Sequence, residues 1–249
     1  MKSSNPLKKT YFISDLHLDP SRPHLFKLFN KFIEKIRPDA EVLYILGDLF
    51  EFWIGDDIID LPVGKPYLPV IEQLRSLSDA GVKVYFLQGN RDFLIGKRFI
   101  DDIAATLLPD DQIIDLYGTK ALIMHGDTLC TDDKGYQLMR KIFRIKLVQK
   151  IYLSMSPEKR GKKAGNVRKN TSEKNKQKPS MILDVNQQAV EKCYKSRGVS
   201  FLIHGHTHRP AEHQFLINNK SVKRIVLGDW GEKWSYLEWD ADSKYTLNF

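Results

Sequence analysis

The sequence predicts an α/β protein, a core of two sheets with a helical insertion over one end. Three observations carry this. Apolar runs of strand length alternate with helix-period segments through the first half, and strands dominate after residue 200. Five polar motifs follow such runs, where open α/β sheets assemble their sites. A long basic segment interrupts the pattern in between.

Thr10 to Ser14 reads as a buried strand. Leu25, Leu28, Phe29, Phe32, Ile33 and Ile36 recur at the spacing of an amphipathic helix, which Pro38 and Asp39 end. Val42 to Leu46 is the second strand, Pro69 to Ser78 a helix closed by Gly81, and Val82 to Leu87 the third strand. Gly96 to Ala105 suits a further helix. Ile113 to Leu116 and Ala121 to Met124 flank a turn at Gly118 and read as a hairpin. Beyond the basic segment come a helix at Ile182 to Lys195 and strands at Phe201 to Ile203, Val222 to Leu227, Tyr236 to Trp239 and Tyr245 to Leu247. There is no internal repeat.

A chain of 249 residues, 42% hydrophobic and 11% aromatic, can bury a full core as one large domain or two small ones. Two cysteines, Cys130 and Cys193, make no disulfide framework and fit reduced thiols in a cytoplasmic protein. Met1 to Lys9 lack a secretory pattern and no run is long enough to span a bilayer, so a soluble or peripheral protein is expected. The formal charge of +8 suggests nucleic acid until its distribution is read. Between Arg140 and Lys178 stand fourteen Lys or Arg against two Asp or Glu, a local excess of twelve, so the rest of the chain is net negative by four. A local basic patch suits a phosphate-bearing ligand or an anionic membrane as well as it suits DNA.

That segment is also apolar. Ile142, Phe143, Ile145, Leu147, Val148, Ile151, Tyr152 and Leu153 are threaded with Lys and Arg, and Lys159 to Lys178 is rich in Lys, Gly, Asn and Ser. The expectation is a helical insertion, a lid, over residues 136–178, within a core of residues 1–135 and 179–249. The plainer alternative is a surface helix followed by a flexible charged loop.

The five motifs are Asp15-Leu16-His17, Gly47-Asp48, Gly89-Asn90-Arg91-Asp92, His125-Gly126-Asp127 and Gly205-His206-Thr207-His208. Asp, Asn and His are the ligand types that hold two divalent metals close together. Asp15 and His17, two apart, can point to one face at a strand end. Asp48 closes a buried strand, where a carboxylate is costly unless paired or metal-bound, and its two oxygens suit a bridging ligand. Asn90 offers a neutral oxygen, and His125, His206 and His208 complete the set. Any one of these alone reads as a surface turn or a satisfied core histidine; seven convergent ligands do not. His24 reads as surface, His204 points to the opposite face, and His213 has no motif around it.

The longer runs Ser14 to Leu18, Gly47 to Asp57, Gly89 to Gly96, His125 to Asp133 and Ile203 to Pro210 resemble the calcineurin-like metallophosphoesterase family. Within it they resemble the branch acting on a UDP-diacylglucosamine lipid in lipid A synthesis, and the likeness runs from Tyr11 to about Trp230. The resemblance implies a four-layer α/β/β/α sandwich of two mixed sheets. It implies one metal on Asp15, His17, Asp48 and His208 and another on Asp48, Asn90, His125 and His206, usually manganese, although these donors also suit iron or zinc. It implies catalytic roles for Asp48, Asn90, Arg91 and His125, and substrate contacts at Asn90, Arg91, Asp133, Tyr136, Arg168, Thr171, Asn175, Lys178 and His206. Thr171 stands where relatives commonly have serine. The implied reaction is attack of water at the α-phosphorus, giving UMP and 2,3-diacylglucosamine 1-phosphate (lipid X), at the cytoplasmic face of the inner membrane.

Arg91 separates the readings. Many members of the family have histidine there, able to protonate a poor leaving group. Arginine stays charged and can instead stabilise phosphoryl charge. A diphosphate expels a phosphate monoester, which needs little acid help, so Arg91 and the apolar insertion favour a lipid diphosphate over a nucleic-acid backbone. A phosphodiesterase or nuclease of the same superfamily, and a metal-dependent scaffold without turnover, are the rivals.

Overall fold

The computed structural model describes residues 8–179 and 181–249. Eleven strands among them form two sheets. The first holds β1 (Lys9–Ile13), β2 (Ala40–Ile45), β3 (Lys83–Phe86) and the two-residue β4 (Thr106–Leu107), all parallel, and closes with two antiparallel strands, β10 (Tyr236–Asp240) and β11 (Tyr245–Asn248), in the order β11-β10-β1-β2-β3-β4. The second holds β5 (Asp111–Leu116), β6 (Thr119–Met124), β7 (Phe201–His204), β8 (Ala211–Ile217) and β9 (Lys220–Val226), in the order β5-β6-β7-β9-β8. Its middle strands β6, β7 and β9 are parallel, and β5 and β8 edge it antiparallel.

Side-chain alternation builds the layers. Tyr11 and Ile13 on β1, and Leu43 and Ile45 on β2, face three helices: α1 (Pro23–Ile36), α2 (Leu68–Asp79) and the short α3 (Lys97–Asp102). Phe12, Tyr44 and Leu46 point the other way, onto Ala121, Ile123, Ile203 and Ile225 of the second sheet. The far face of that sheet, Leu122, Met124 and Leu202, is covered by Val190 and Tyr194 of α7 (Gln187–Arg197). The result is the four-layer α/β/β/α sandwich.

Residues 136–178 contribute most of α4 (Lys134–Phe143), all of α5 (Lys146–Leu153) and all of α6 (Pro157–Gln177). The Lys/Gly/Asn/Ser run is thus a 21-residue helix, not a charged loop. Lys, Arg, Glu and Gln are good helix formers, and proline suits its first turn. Arg160, Ala164, Val167, Arg168 and Thr171 recur at helical spacing and turn one stripe of α6 inward. Arg160 is buried against the core, donating to the Ile54 carbonyl at 2.8 Å and pairing with Asp57.

Three expectations are corrected. The helix expected at Ile182 begins at Gln187, because the Asn186 side chain caps it by accepting the Ala189 N–H at 3.0 Å. Two strands lack an apolar signature: β4 is two residues long, and β8 is an edge strand with mostly exposed side chains. Asp15 and His17 are not alternating strand residues. β1 ends at Ile13, and both lie beyond it with positive φ.

Candidate metal centre

All five motifs lie in loops at the C-terminal ends of β1, β2, β3, β6 and β7, the pole where sites form in parallel sheets. Backbone hydrogen bonds tie the loops together. Asp15 N–H donates to the Gly47 carbonyl at 3.1 Å, His17 N–H to Asp48 at 3.0 Å, and Gly205 N–H to His125 at 2.8 Å. At Gly89 and Gly205 the packing admits no side chain. A Cβ on Gly89 would collide with the Asp48 carboxylate, and one on Gly205 with Ser14 and Asp15.

The seven candidate ligands converge. Asp15, His17 and His208 bring a carboxylate oxygen and two ring nitrogens together, and Asp15, Asp48 and His125 bring two carboxylate oxygens and one ring nitrogen. His17 Nε2 lies 3.2 Å from His208 Nε2. Asn90 Oδ1 lies 2.9 Å from both His125 Nε2 and His206 Nδ1. Asp48 stands between the groups, Oδ2 3.9 Å from His17 Nε2 and Oδ1 3.8 Å from His125 Nε2. His206 and His208, two residues apart, thus go to different groups. His125 Nδ1–H donates to the Leu46 carbonyl at 2.8 Å, which turns Nε2 toward the cluster.

The donor set fits divalent cations. Asp15 Oδ1 is sealed from solvent without a hydrogen bond, 3.3 Å from His208 Nε2. Burial pushes His17 down to about 3 and His206 down to about 4, so both imidazoles are neutral, the form that ligates. Burial pushes Asp48 up to about 7, against the pull of His125. Burial also opposes the charge on Asp15, but the hydrogen bond from His208 and the charge on His125 outweigh it and hold that carboxyl below the usual range.

A cavity of about 560 Å³ opens on this cluster. Asp48, Asn90, Arg91, His206 and His208 form its floor, with Asp133, Tyr136, Arg168 and Thr171 around it; Phe93, Met139, Phe143, Val148 and Val167 give it an apolar side. His125 is buried behind that floor. Lys178 does not line the cavity; its Nζ donates to Asp133 at 2.5 Å. Asn175 lies on α6, and its side chain falls outside those described.

Several working residues carry no role in the sequence reading. Asp92 is fully buried and accepts the N–H groups of Leu49 and Gly89, both at 2.8 Å, joining the two ligand loops. Asp127 accepts from the Tyr136 hydroxyl at 2.8 Å and Arg140 Nε at 2.6 Å. Arg144 reaches the Gly89 carbonyl at 3.0 Å. Asp92 and Asp127 stand within the motifs and were signalled by them; the arginines were hidden among many similar charges.

A family model for calcineurin-like phosphoesterases matches residues 8–210. The chain belongs to that family, a class of metal-dependent hydrolases, and divalent metals are its implied cofactor. Within the class it falls with the UDP-2,3-diacylglucosamine hydrolases. The protein of that name from Serratia proteamaculans (strain 568) is 44% identical over 96% of this chain and 98% of its own. The one from Actinobacillus succinogenes is 46% identical over 93% and 96%. Among solved structures, an archaeal phosphodiesterase covers 96% of this chain and 98% of its own, at 16% identity and TM-score 0.49.

Proposed function

We propose that the chain hydrolyses the diphosphate of UDP-2,3-diacylglucosamine to UMP and lipid X, in lipid A biosynthesis. The observation that carries this is one cavity with two chemistries, a floor of converging metal donors and an apolar wall from a basic lid. A nucleic-acid backbone has no use for Phe93, Met139, Phe143, Val148 and Val167; acyl chains do. The names of the relatives point to the same substrate.

In this reading Asp15, His17, Asp48 and His208 hold one metal, and Asp48, Asn90, His125 and His206 the other, with manganese the expected ion. Bound there, the metals lower the pKa of water and neutralise phosphoryl charge. Arg91, with Asn90 and His206, faces the α-phosphoryl group and stabilises the charge it gains as water adds. The water oxygen stays on UMP, and the bond to the lipid phosphate breaks. Asp133, Tyr136, Arg168, Thr171, Asn175 and Lys178 seat the headgroup. The lid, residues 136–178, binds the acyl chains against a core of residues 1–135 and 179–249, so remote binding energy fixes the reacting phosphorus.

The outer face of the lid completes the reading. Leu138, Leu147 and Ile151 are 62%, 65% and 61% exposed beside Lys134, Lys141, Lys146 and Lys150. An exposed apolar patch among cations suits an anionic bilayer, here the cytoplasmic face of the inner membrane. No helix among the described residues is long and apolar enough to cross a membrane. The test is UMP release from the lipid with and without manganese. UMP released only with metal supports the reading. Faster cleavage of bis(p-nitrophenyl) phosphate than of the lipid favours a phosphodiesterase instead.

A further inference from the structure

Glu51 lies three residues beyond Asp48 and is only 3% exposed. Its carboxylate gathers four groups from three separate segments, the loop before α1, the loop after β3 and α6. Arg22 Nη2 is 3.2 Å away, beside the start of α1. Arg91 Nη1 is at 4.0 Å and His17 Nδ1 at 3.7 Å. Arg168 of α6 reaches across from the lid and forms an ion pair with it, its guanidinium also 5.6 Å from the Phe52 ring centre. Three guanidinium groups repel one another unless an anion sits among them, and a buried carboxylate is costly unless cations surround it. Two of the three, Arg91 and Arg168, line the cavity.

We propose that Glu51 is an internal counterion that latches the lid before ligand arrives. Its pair with Arg168 draws α6 over the site, and its hold on Arg91 aims that guanidinium at the phosphoryl position. The identity of the arriving anion rests on the proposed function; the latch itself belongs to the ligand-free chain. A diphosphate carries the same sign of charge and takes Arg168 and Arg91 over from Glu51. Glu51 is therefore a positioning residue that competes with the ligand for the same cations. Removing its charge loosens α6, misdirects Arg91 and leaves the site more attractive to anions.

The experiment is hydrogen exchange over α6 in the manganese-loaded, ligand-free enzyme, for Glu51→Gln, Arg168→Gln and both together. Either single substitution is expected to speed exchange over α6 by about tenfold, with the pair adding nothing further, because both break one contact. In steady-state assays Glu51→Gln lowers kcat by about 10–100-fold, the usual range for residues that orient a site. KM does not rise, and Glu51→Asp recovers part of kcat. If Glu51→Gln does not fold, exchange in Arg168→Gln decides alone. Unchanged exchange over α6 in Arg168→Gln overturns the latch. So does a Glu51→Gln protein in which α1 and α6 loosen equally and KM rises as kcat falls, the pattern of a merely structural residue. These exchange results hold whether or not the parent releases UMP, whose absence counts against the proposed function instead.

Discussion

Asp15, His17, Asp48, His206 and His208 all sit at φ between 48° and 70°, a region L-residues avoid outside special turns. Each such residue costs on the order of 1–3 kcal/mol, and the surrounding backbone bonds hold it there. The strain turns the chain just past each strand so that its side chain enters the cluster. Charge is stored in the same place. Because burial raises Asp48 to about 7 from 3.8, stability linked to its protonated form is present below about pH 4 and lost as pH rises through 7. We expect metal-free Asp48→Asn to be at least as stable as the parent at pH 8, while binding neither metal well and releasing no UMP. Thermal melting, elemental analysis and the UMP assay check this; a variant with two metals and a near-parent rate sinks the bridging role. His208 sends a second signal. Burial lowers its pKa, but Asp15 and Asp229 outweigh that and bring it up to about 9. At pH 7 it is protonated in the metal-free protein, so metal binding must release that proton and tighten as pH rises toward 9. Calorimetry in buffers of different ionisation enthalpy should detect the release, and His208→Gln should reduce it, leaving the share that Asp48 gives up.

At the scale of elements, α4 and α5 have two working faces. Tyr136, Met139, Phe143, Val148 and Tyr152 line the cavity, whereas Leu138, Ile142, Leu147 and Ile151 face outward. Replacing residues 136–178 with a Gly/Ser linker should spare metal content and some hydrolysis of small soluble phosphoesters. It should greatly reduce kcat/KM for the diacylated substrate. Equal loss on both would mean that the segment only supports the fold. A finer probe is Arg160, whose stem is buried and whose guanidinium holds the Ile54 carbonyl and Asp57. Arg160→Met keeps the stem volume and removes both contacts. Asp57 is half exposed, so its share is screened, and the expected cost is about 1–2 kcal/mol in denaturant unfolding. KM for the lipid should rise more than kcat falls. A variant with parent-like stability and KM would show that this arginine does not pin the lid.

For the whole molecule, the donor cluster joins two sheets. Asp15, Asp48 and Asn90 come from the loops of the first, His125, His206 and His208 from the second. Metals bound there clamp one sheet to the other and act on the folded chain alone. At a hundredfold excess over Kd, one site adds about 2.7 kcal/mol. For a chain of this size that corresponds to roughly 5–10 °C in Tm. Chelation should lower Tm by at least that much, and manganese should restore it; a Tm indifferent to both would deny the clamp.

The sequence alone carried the apolar alternation of the strands, the period of α1 and the five motifs, because each depends on neighbours within a few residues. From these came the α/β class and the seven converging side chains, and the basic, apolar composition of residues 136–178 pointed to a helical insertion. It did not carry β8, whose pairing depends on β9 rather than on its own hydrophobicity, nor the start of α7, set by a cap. Above all it did not carry the roles of Glu51 and Arg160. A carboxylate or guanidinium is exposed by default, and its burial follows from charges that lie close in space but far apart in the chain, Arg168 117 positions from Glu51 and Ile54 106 from Arg160. Local pattern names the residues that bear chemistry; only the folded packing decides which charge answers which, because Coulomb energy depends on distance through space.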